Sequence, residues 1–243
     1  MIKWFLIVLV CVPRILYSTI VLFHMNKHKD KYDLSRRYKI VRNTAKCISV
    51  MTRCRMNVLN KEVISSEHSN GRIYVSNHLN VFDAVSFLCL SDKPLIFISK
   101  KENLKVPFLL THAIALDTLF IDRDDLRQSL KLCKEAGKLA KAGNDIVLFA
   151  EGTRSKDGNI GPFKAALGAL VQYGEVEQVL VTMHDTTKPL KWRWISYPKE
   201  RVSLKFFDPL PYSFFLENRK EYTNLTRNMI VKQYEEFKKE CNA

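Results

Sequence analysis

From residue 72 onward, short apolar runs alternate with stretches of helical spacing, and this pattern constrains the fold more than any other feature of the chain. Residues 73–75, 95–98, 119–121, 145–149, 179–181 and 202–207 are each compact and mostly apolar. Such runs predict strands buried on both faces. Between them, residues 124–142 place Leu126, Leu130, Cys133, Ala136, Leu139 and Ala140 at helical intervals, and residues 164–173 predict a second helix. The tail beyond residue 212 repeats the helical pattern at Tyr222, Leu225, Met229, Ile230, Tyr234 and Phe237. This alternation predicts one α/β domain, with a mostly parallel central sheet flanked by helices. We place that domain at residues 63–243.

Residues 1–62 differ in character. Residues 4–12 read WFLIVLVCV and residues 15–23 read ILYSTIVLF, with Pro13 and Arg14 between them. As one helix, residues 4–23 would be about 30 Å long, the hydrocarbon thickness of a bilayer. Arg14 at mid-depth is costly and Pro13 kinks a helix, so a bent or re-entrant hairpin of two short helices at a membrane surface is expected. The soluble alternative is a buried core helix, but apolar residues on every face favour a membrane-associated helical element. The same interruption, with no A-x-A site after it, argues against a cleaved signal peptide. Residues 26–62 then hold eleven Lys and Arg against three acids, a surplus of eight out of a formal net charge of +14. Positive charge beside an apolar segment places the body at the cytoplasmic face of an anionic membrane surface.

The whole-chain surplus calls for an anionic partner: nucleic acid, anionic lipid or a phosphorylated substrate. A hydrophobic fraction of 47% excludes wholesale disorder. The six cysteines form no C-x-x-C pair, which speaks for reduced thiols and against zinc or a disulfide framework.

Two loops after predicted strands carry chemistry. Residues 76–83 read SNHLNVFD, so His78 and Asp83 stand five apart. A carboxylate on one imidazole nitrogen fixes the tautomer and raises the basicity of the other, which can then deprotonate an alcohol. The alternative is a loop histidine beside a helix-capping aspartate. Residues 149–155 read FAEGTRS. There Gly152 permits close backbone approach, and Thr153 and Arg154 offer donors to a phosphate at a strand's carboxyl end. Arg123 follows one further predicted strand, and Lys100 and Lys101 another.

The order N-H-x4-D, K-K-E-x3-V-P-F, F-I-D-R, F-A-E-G-T-R-S and P-F-K resembles the glycerolipid acyltransferases of the PlsC/LPLAT type over about residues 70–185. The resemblance implies that His78 is the general base and Asp83 its orienting partner. It also implies that Arg123, Glu151, Gly152, Thr153 and Arg154, with Lys101 beside them, bind the acceptor phosphate. The activity implied is transfer of a fatty acyl group from acyl-CoA or acyl-carrier protein to the sn-2 hydroxyl of 1-acylglycerol-3-phosphate, making phosphatidic acid. No metal or organic cofactor is expected, the thioester being a co-substrate. Other lysophospholipids, glycerol-3-phosphate or a lipid-A-type precursor are alternative acceptors. A non-enzymatic adaptor for membrane or nucleic acid is the reading from another class, since Trp192, Arg193, Trp194 and Tyr197 lie among Lys188, Lys191, Lys199 and Arg201. The same mixture suits a lipid interface, and no nucleic acid is expected.

Overall fold

All six apolar runs become strands of one sheet, and one further strand joins them. The computed structural model describes residues 7–66, 68, 70–102, 107–122, 125–154, 159–190 and 200–242. The strands are β1 (Cys54–Leu59), β2 (Ile73–Ser76), β3 (Leu95–Lys100), β4 (Leu119–Ile121), β5 (Asp145–Phe149), β6 (Gln178–His184) and β7 (Glu200–Phe206). The helices are α1 (Val12–Lys27), α2 (Leu34–Met51), α3 (Glu62–Ser65), α4 (Phe82–Leu90), α5 (Pro107–Ala115), α6 (Leu126–Lys141), α7 (Ala166–Gly174), α8 (Tyr212–Glu217) and α9 (Tyr222–Asn242).

The sheet order is β1-β7-β6-β2-β5-β3-β4. Every pairing is parallel except β6 with β7, so β1 and β7 run opposite to the other five. β2 lies at the centre, between β6 and β5, with all four residues buried. Its side chains alternate between two cores. Tyr74 joins Phe87, Phe97, Val147 and Val181 under α1, α2 and α4. Ile73 and Val75 join Ile146, Leu148 and Leu180 under α6, α7 and α9. Burial on both faces is why these strands read as unbroken apolar runs.

The N-terminal segment differs from the expected hairpin. No break occurs at Pro13: Ile7–Cys11 forms a π-helical turn that runs straight into α1, and Pro13 sits in the first turn of that helix. Pro13 has no N–H to bond back into that turn, and the wider turn ahead of it accommodates the ring. The Arg14 guanidinium lies 5.7 Å from the centre of the Tyr17 ring. Leu9–Lys27 is the one helix among the described residues long and apolar enough to cross a membrane. Leu16, Tyr17, Ile20 and Phe23 are each more than half exposed along it.

The division at 62/63 does not separate two bodies. β1 is hydrogen-bonded along β7, and Leu22 and Met25 of α1 and Tyr38 and Val41 of α2 share a core with the sheet. The Ser18 hydroxyl lies 2.9 Å from His112 Nε2, and the Asn26 side chain donates to the Thr111 carbonyl at 2.9 Å, fastening α1 to α5. Arg37, 4% exposed, donates to both Asp117 oxygens and to the Ala115 carbonyl, fastening α2 to the end of the same helix. Arg123 lies outside the described residues, as do Lys191, Trp192, Arg193, Trp194, Tyr197 and Lys199.

Candidate active site at the carboxyl edge of the sheet

β2 ends at Ser76, and the chain turns through residues 77–81 before α4 begins at Phe82. Asn77 anchors this turn. Its amide donates to the Met183 carbonyl at 2.9 Å and accepts from the Met183 N–H at 2.8 Å, extending the β2–β6 pairing by one side-chain bracket. His78 follows. Its Nδ1 lies 2.7 Å from Asp83 Oδ2, so Nδ1 carries the proton donated to the carboxylate and Nε2 presents its lone pair. Nε2 has no hydrogen-bond partner among the described residues, and the side chain is 20% exposed. The ring stacks on Phe149 at the end of β5, 4.3 Å between centroids and 20° between planes.

Asp83 is completely buried. Its Oδ2 also accepts from the Leu79 and Asn80 N–H groups, at 2.7 and 2.9 Å. Asp83 does not cap α4, whose N-cap is Val81; its carboxylate holds the turn entering the helix and the imidazole together. Its place in the first turn of α4 sets its charge against the positive end of the helix.

A second His–Asp pair lies at the opposite edge. His68 Nε2 is 2.8 Å from Asp145 Oδ1, where β5 begins, and His68 Nδ1 is 3.0 Å from the Ser66 carbonyl. Both of its nitrogens are engaged, leaving none for a substrate. The pair fastens the segment before β2 to the start of β5.

The loop after β5 carries the predicted phosphate ligands. Gly152 has φ +71°, left-handed backbone that a side chain would strain, and its N–H closes a turn on the Phe149 carbonyl at 3.0 Å. Thr153 and Arg154 are exposed, with no hydrogen bond or ion pair among the described residues. Glu151 behaves otherwise. It is 4% exposed, and its two oxygens accept the His78 N–H and the Gly161 N–H, each at 2.8 Å. Burial pushes its carboxyl up from the ordinary glutamate value, while the two N–H bonds pull against that shift. With both oxygens taken, it braces two loops. Lys101 follows β3 and reaches Asp122 Oδ2 at 3.3 Å beyond the end of β4. The cations at the ends of β5 and β3 therefore lie on one flank of β2, with β6 on the other.

Sequence reasoning missed the Asn77 bracket, the Phe149 stack and the partners of Glu151. Each depends on residues distant in the chain. Among the described residues no group of three His, Cys, Asp or Glu side chains is disposed to hold a metal ion.

The family model described as Acyltransferase matches residues 55–183, from β1 to the end of β6. This chain belongs to the acyltransferase family. The match includes His78, Asp83 and the Glu151 loop of this acyltransferase. A 1-acyl-sn-glycerol-3-phosphate acyltransferase of Limnanthes alba is 32% identical over 153 residues, covering 61% of this chain and 54% of that protein. A chloroplastic 1-acyl-sn-glycerol-3-phosphate acyltransferase of Brassica napus is 33% identical over 116 residues, covering 48% of this chain and 33% of that protein. This acyltransferase thus aligns with between a third and about half of the length of these relatives. In fold it is similar to the 1-acyl-sn-glycerophosphate acyltransferase PlsC of Thermotoga maritima, with a TM-score of 0.68 and 23% identity over 97% of this chain and 93% of that one.

Proposed function

We propose that this acyltransferase moves a fatty acyl group from a thioester, acyl-CoA or acyl-carrier protein, to the sn-2 hydroxyl of 1-acylglycerol-3-phosphate, yielding phosphatidic acid. The observation that carries this reading is the His78–Asp83 pair, with Nδ1 held at 2.7 Å and Nε2 open at the edge of the central strand. His78 Nε2 takes the hydroxyl proton as the oxygen attacks the thioester carbonyl. The C–O bond forms, the C–S bond breaks, and the proton passes from His78 to the leaving thiolate. Asp83 steadies the imidazolium formed between the two steps. No serine or cysteine nucleophile is needed, because the acceptor supplies the attacking oxygen, and the step balances without a metal or organic cofactor.

Arg154 and Thr153 on the β5 flank, with Lys101 after β3, hold the acceptor phosphate and so bring the hydroxyl to His78, and Arg123 is a further phosphate ligand. Glu151 and Gly152 shape the loop that presents Arg154. α1 lodges in the membrane through its exposed apolar face, and the basic residues after it face anionic headgroups at the cytoplasmic side. The acceptor's acyl chain then stays in the bilayer while its phosphate reaches the site.

The test is thiol release by the full chain in detergent or vesicles, with both donor types and a panel of lysophospholipid and glycerol-3-phosphate acceptors. Turnover fastest with 1-acylglycerol-3-phosphate, and about 10²–10⁴-fold lower in His78→Ala, is the expected result. Wild-type turnover in folded His78→Ala would end this reading.

A further inference from the structure

Arg227 stands on α9, well beyond the residues 55–183 that the family model matches. Its Nη2 donates to the Ile160 carbonyl at 2.6 Å and its Nε to the Gly161 carbonyl at 2.8 Å. The Ile160 carbonyl and the Gly161 N–H belong to one peptide unit, which is planar and points them in opposite directions. The far end of that unit donates to Glu151 Oε2 at 2.8 Å, and Glu151 Oε1 accepts the His78 N–H at 2.8 Å. One continuous chain of charge-assisted bonds therefore runs from α9 through a rigid peptide and a buried carboxylate to the backbone of His78. The Lys164 N–H, bonded to the Ala150 carbonyl at 2.9 Å, closes the same loop at its neck.

We infer that Arg227 is a positioning residue for acyl transfer, acting on His78 through the Ile160–Gly161 peptide and Glu151. The inference rests on the reading of His78 as the base. Arg227 has no need to touch substrate. Its guanidinium fixes the tilt of one peptide, and that tilt decides whether Gly161 and His78 can share the Glu151 carboxylate. The same peptide borders the loop that bears Arg154, so one clamp sets the base and the acceptor loop relative to each other. Displacing a positioned group by about 1 Å lowers a rate by roughly 10²-fold.

A kinetic double-mutant cycle tests this, using the full chain in vesicles with Arg227→Met, Glu151→Gln, the pair, and Arg227→Lys, and His78→Ala as a control. The expected result is a kcat loss of roughly 10²-fold in Arg227→Met, with KM for the thioester unchanged. Arg227→Lys should recover part of that loss, because an ammonium can still bond one carbonyl. The pair should be no slower than Glu151→Gln alone, because both substitutions break one chain. Losses that multiply, or wild-type kcat in Arg227→Met, would overturn the inference while an inactive His78→Ala keeps the base in place. An active His78→Ala would remove the base reading and this inference with it. If Arg227→Met does not fold, Arg227→Lys takes its corner of the cycle with the same two outcomes.

Discussion

A single oxygen of Asp83 holds both the ring of His78 and the turn that presents it: Oδ2 lies 2.7 Å from His78 Nδ1, 2.7 Å from the Leu79 nitrogen and 2.9 Å from the Asn80 nitrogen. The orientation of the base and the entry into α4 are thus one interaction. A substitution there acts on chemistry and stability together, in proportions set by what the new side chain can still accept.

Asp83→Asn keeps an oxygen for the three donors but loses the charge that steadies the imidazolium. The expected outcome is a folded protein whose turnover falls by about 10²-fold or more. Asp83→Ala strands the buried Leu79 N–H, at about 1–3 kcal/mol, and frees two part-buried donors, His78 Nδ1 and the Asn80 N–H. Thermal melts beside initial rates separate the two variants. Equal melting temperatures for both would contradict the dual role.

Glu151 accepts at both oxygens, so Glu151→Gln must set an amide NH₂ against one of two N–H donors. Losing one such bond with its partner left buried costs about 1–3 kcal/mol. The melting temperature should drop and kcat should fall, while the apparent affinity for the acceptor changes less than in Arg154→Ala. A Glu151→Gln variant that lost only acceptor affinity would instead mark Glu151 as a phosphate-site residue.

Burial lowers His112 and His184 below the ordinary imidazole value of 6.5; for His184, the nearby Asp185 carboxylate partly opposes this. A depressed histidine is neutral when folded and takes up its proton more readily when unfolded. Its contribution is therefore complete above about pH 6.5 and is lost as pH falls. Asp117 is disfavoured by burial, but Arg37 and Lys29 outweigh that and hold its carboxyl below its ordinary value of 3.8, so its loss comes only in stronger acid. Glu151 runs the other way: raised from 4.5, it favours the fold at low pH and loses that contribution as pH rises. Melting temperature should decline from neutral pH toward pH 5, and the decline should flatten in a His112→Gln/His184→Gln protein. An unchanged slope in the double variant would refute the assignment.

Ile20 is 70% exposed on α1, so Ile20→Asp leaves the packing beneath it intact. A charge near the middle of an inserted helix costs about 2.5–3.5 kcal/mol. Flotation with vesicles should show the variant moving from the lipid fraction to the soluble fraction, with its melting temperature in detergent retained. Undiminished flotation would show that α1 does not enter the bilayer.

The central strands β2, β3, β5 and β6 were readable from residue order because a strand buried on both faces is apolar along most of its length, and the outer β4 and β7 because they keep a short core of apolar residues. β1 was not. Cys54–Leu59 alternates half-buried with exposed positions at the sheet edge, so Arg55 and Asn57 disguised it as part of the basic stretch. α4 was missed for the converse reason: it is buried on nearly every side and shows no helical period. Pro13 was read as a break because proline usually ends a helix, and only the backbone shows that it begins one.

Residue order alone determined that the chain is α/β, that His78 and Asp83 stand five apart after a strand, and that an apolar segment is followed by positive charge. These follow from burial and periodicity, which are local properties. Tertiary structure decided which His–Asp pair keeps a nitrogen free among the described residues, what Glu151 holds, and that Arg227 reaches the loop of residues 160–161 from the last helix. Those depend on hydrogen bonds closed across sequence separations of up to 77 residues. No spacing rule encodes such contacts, because the direction of each donor is set only when the sheet and helices have packed.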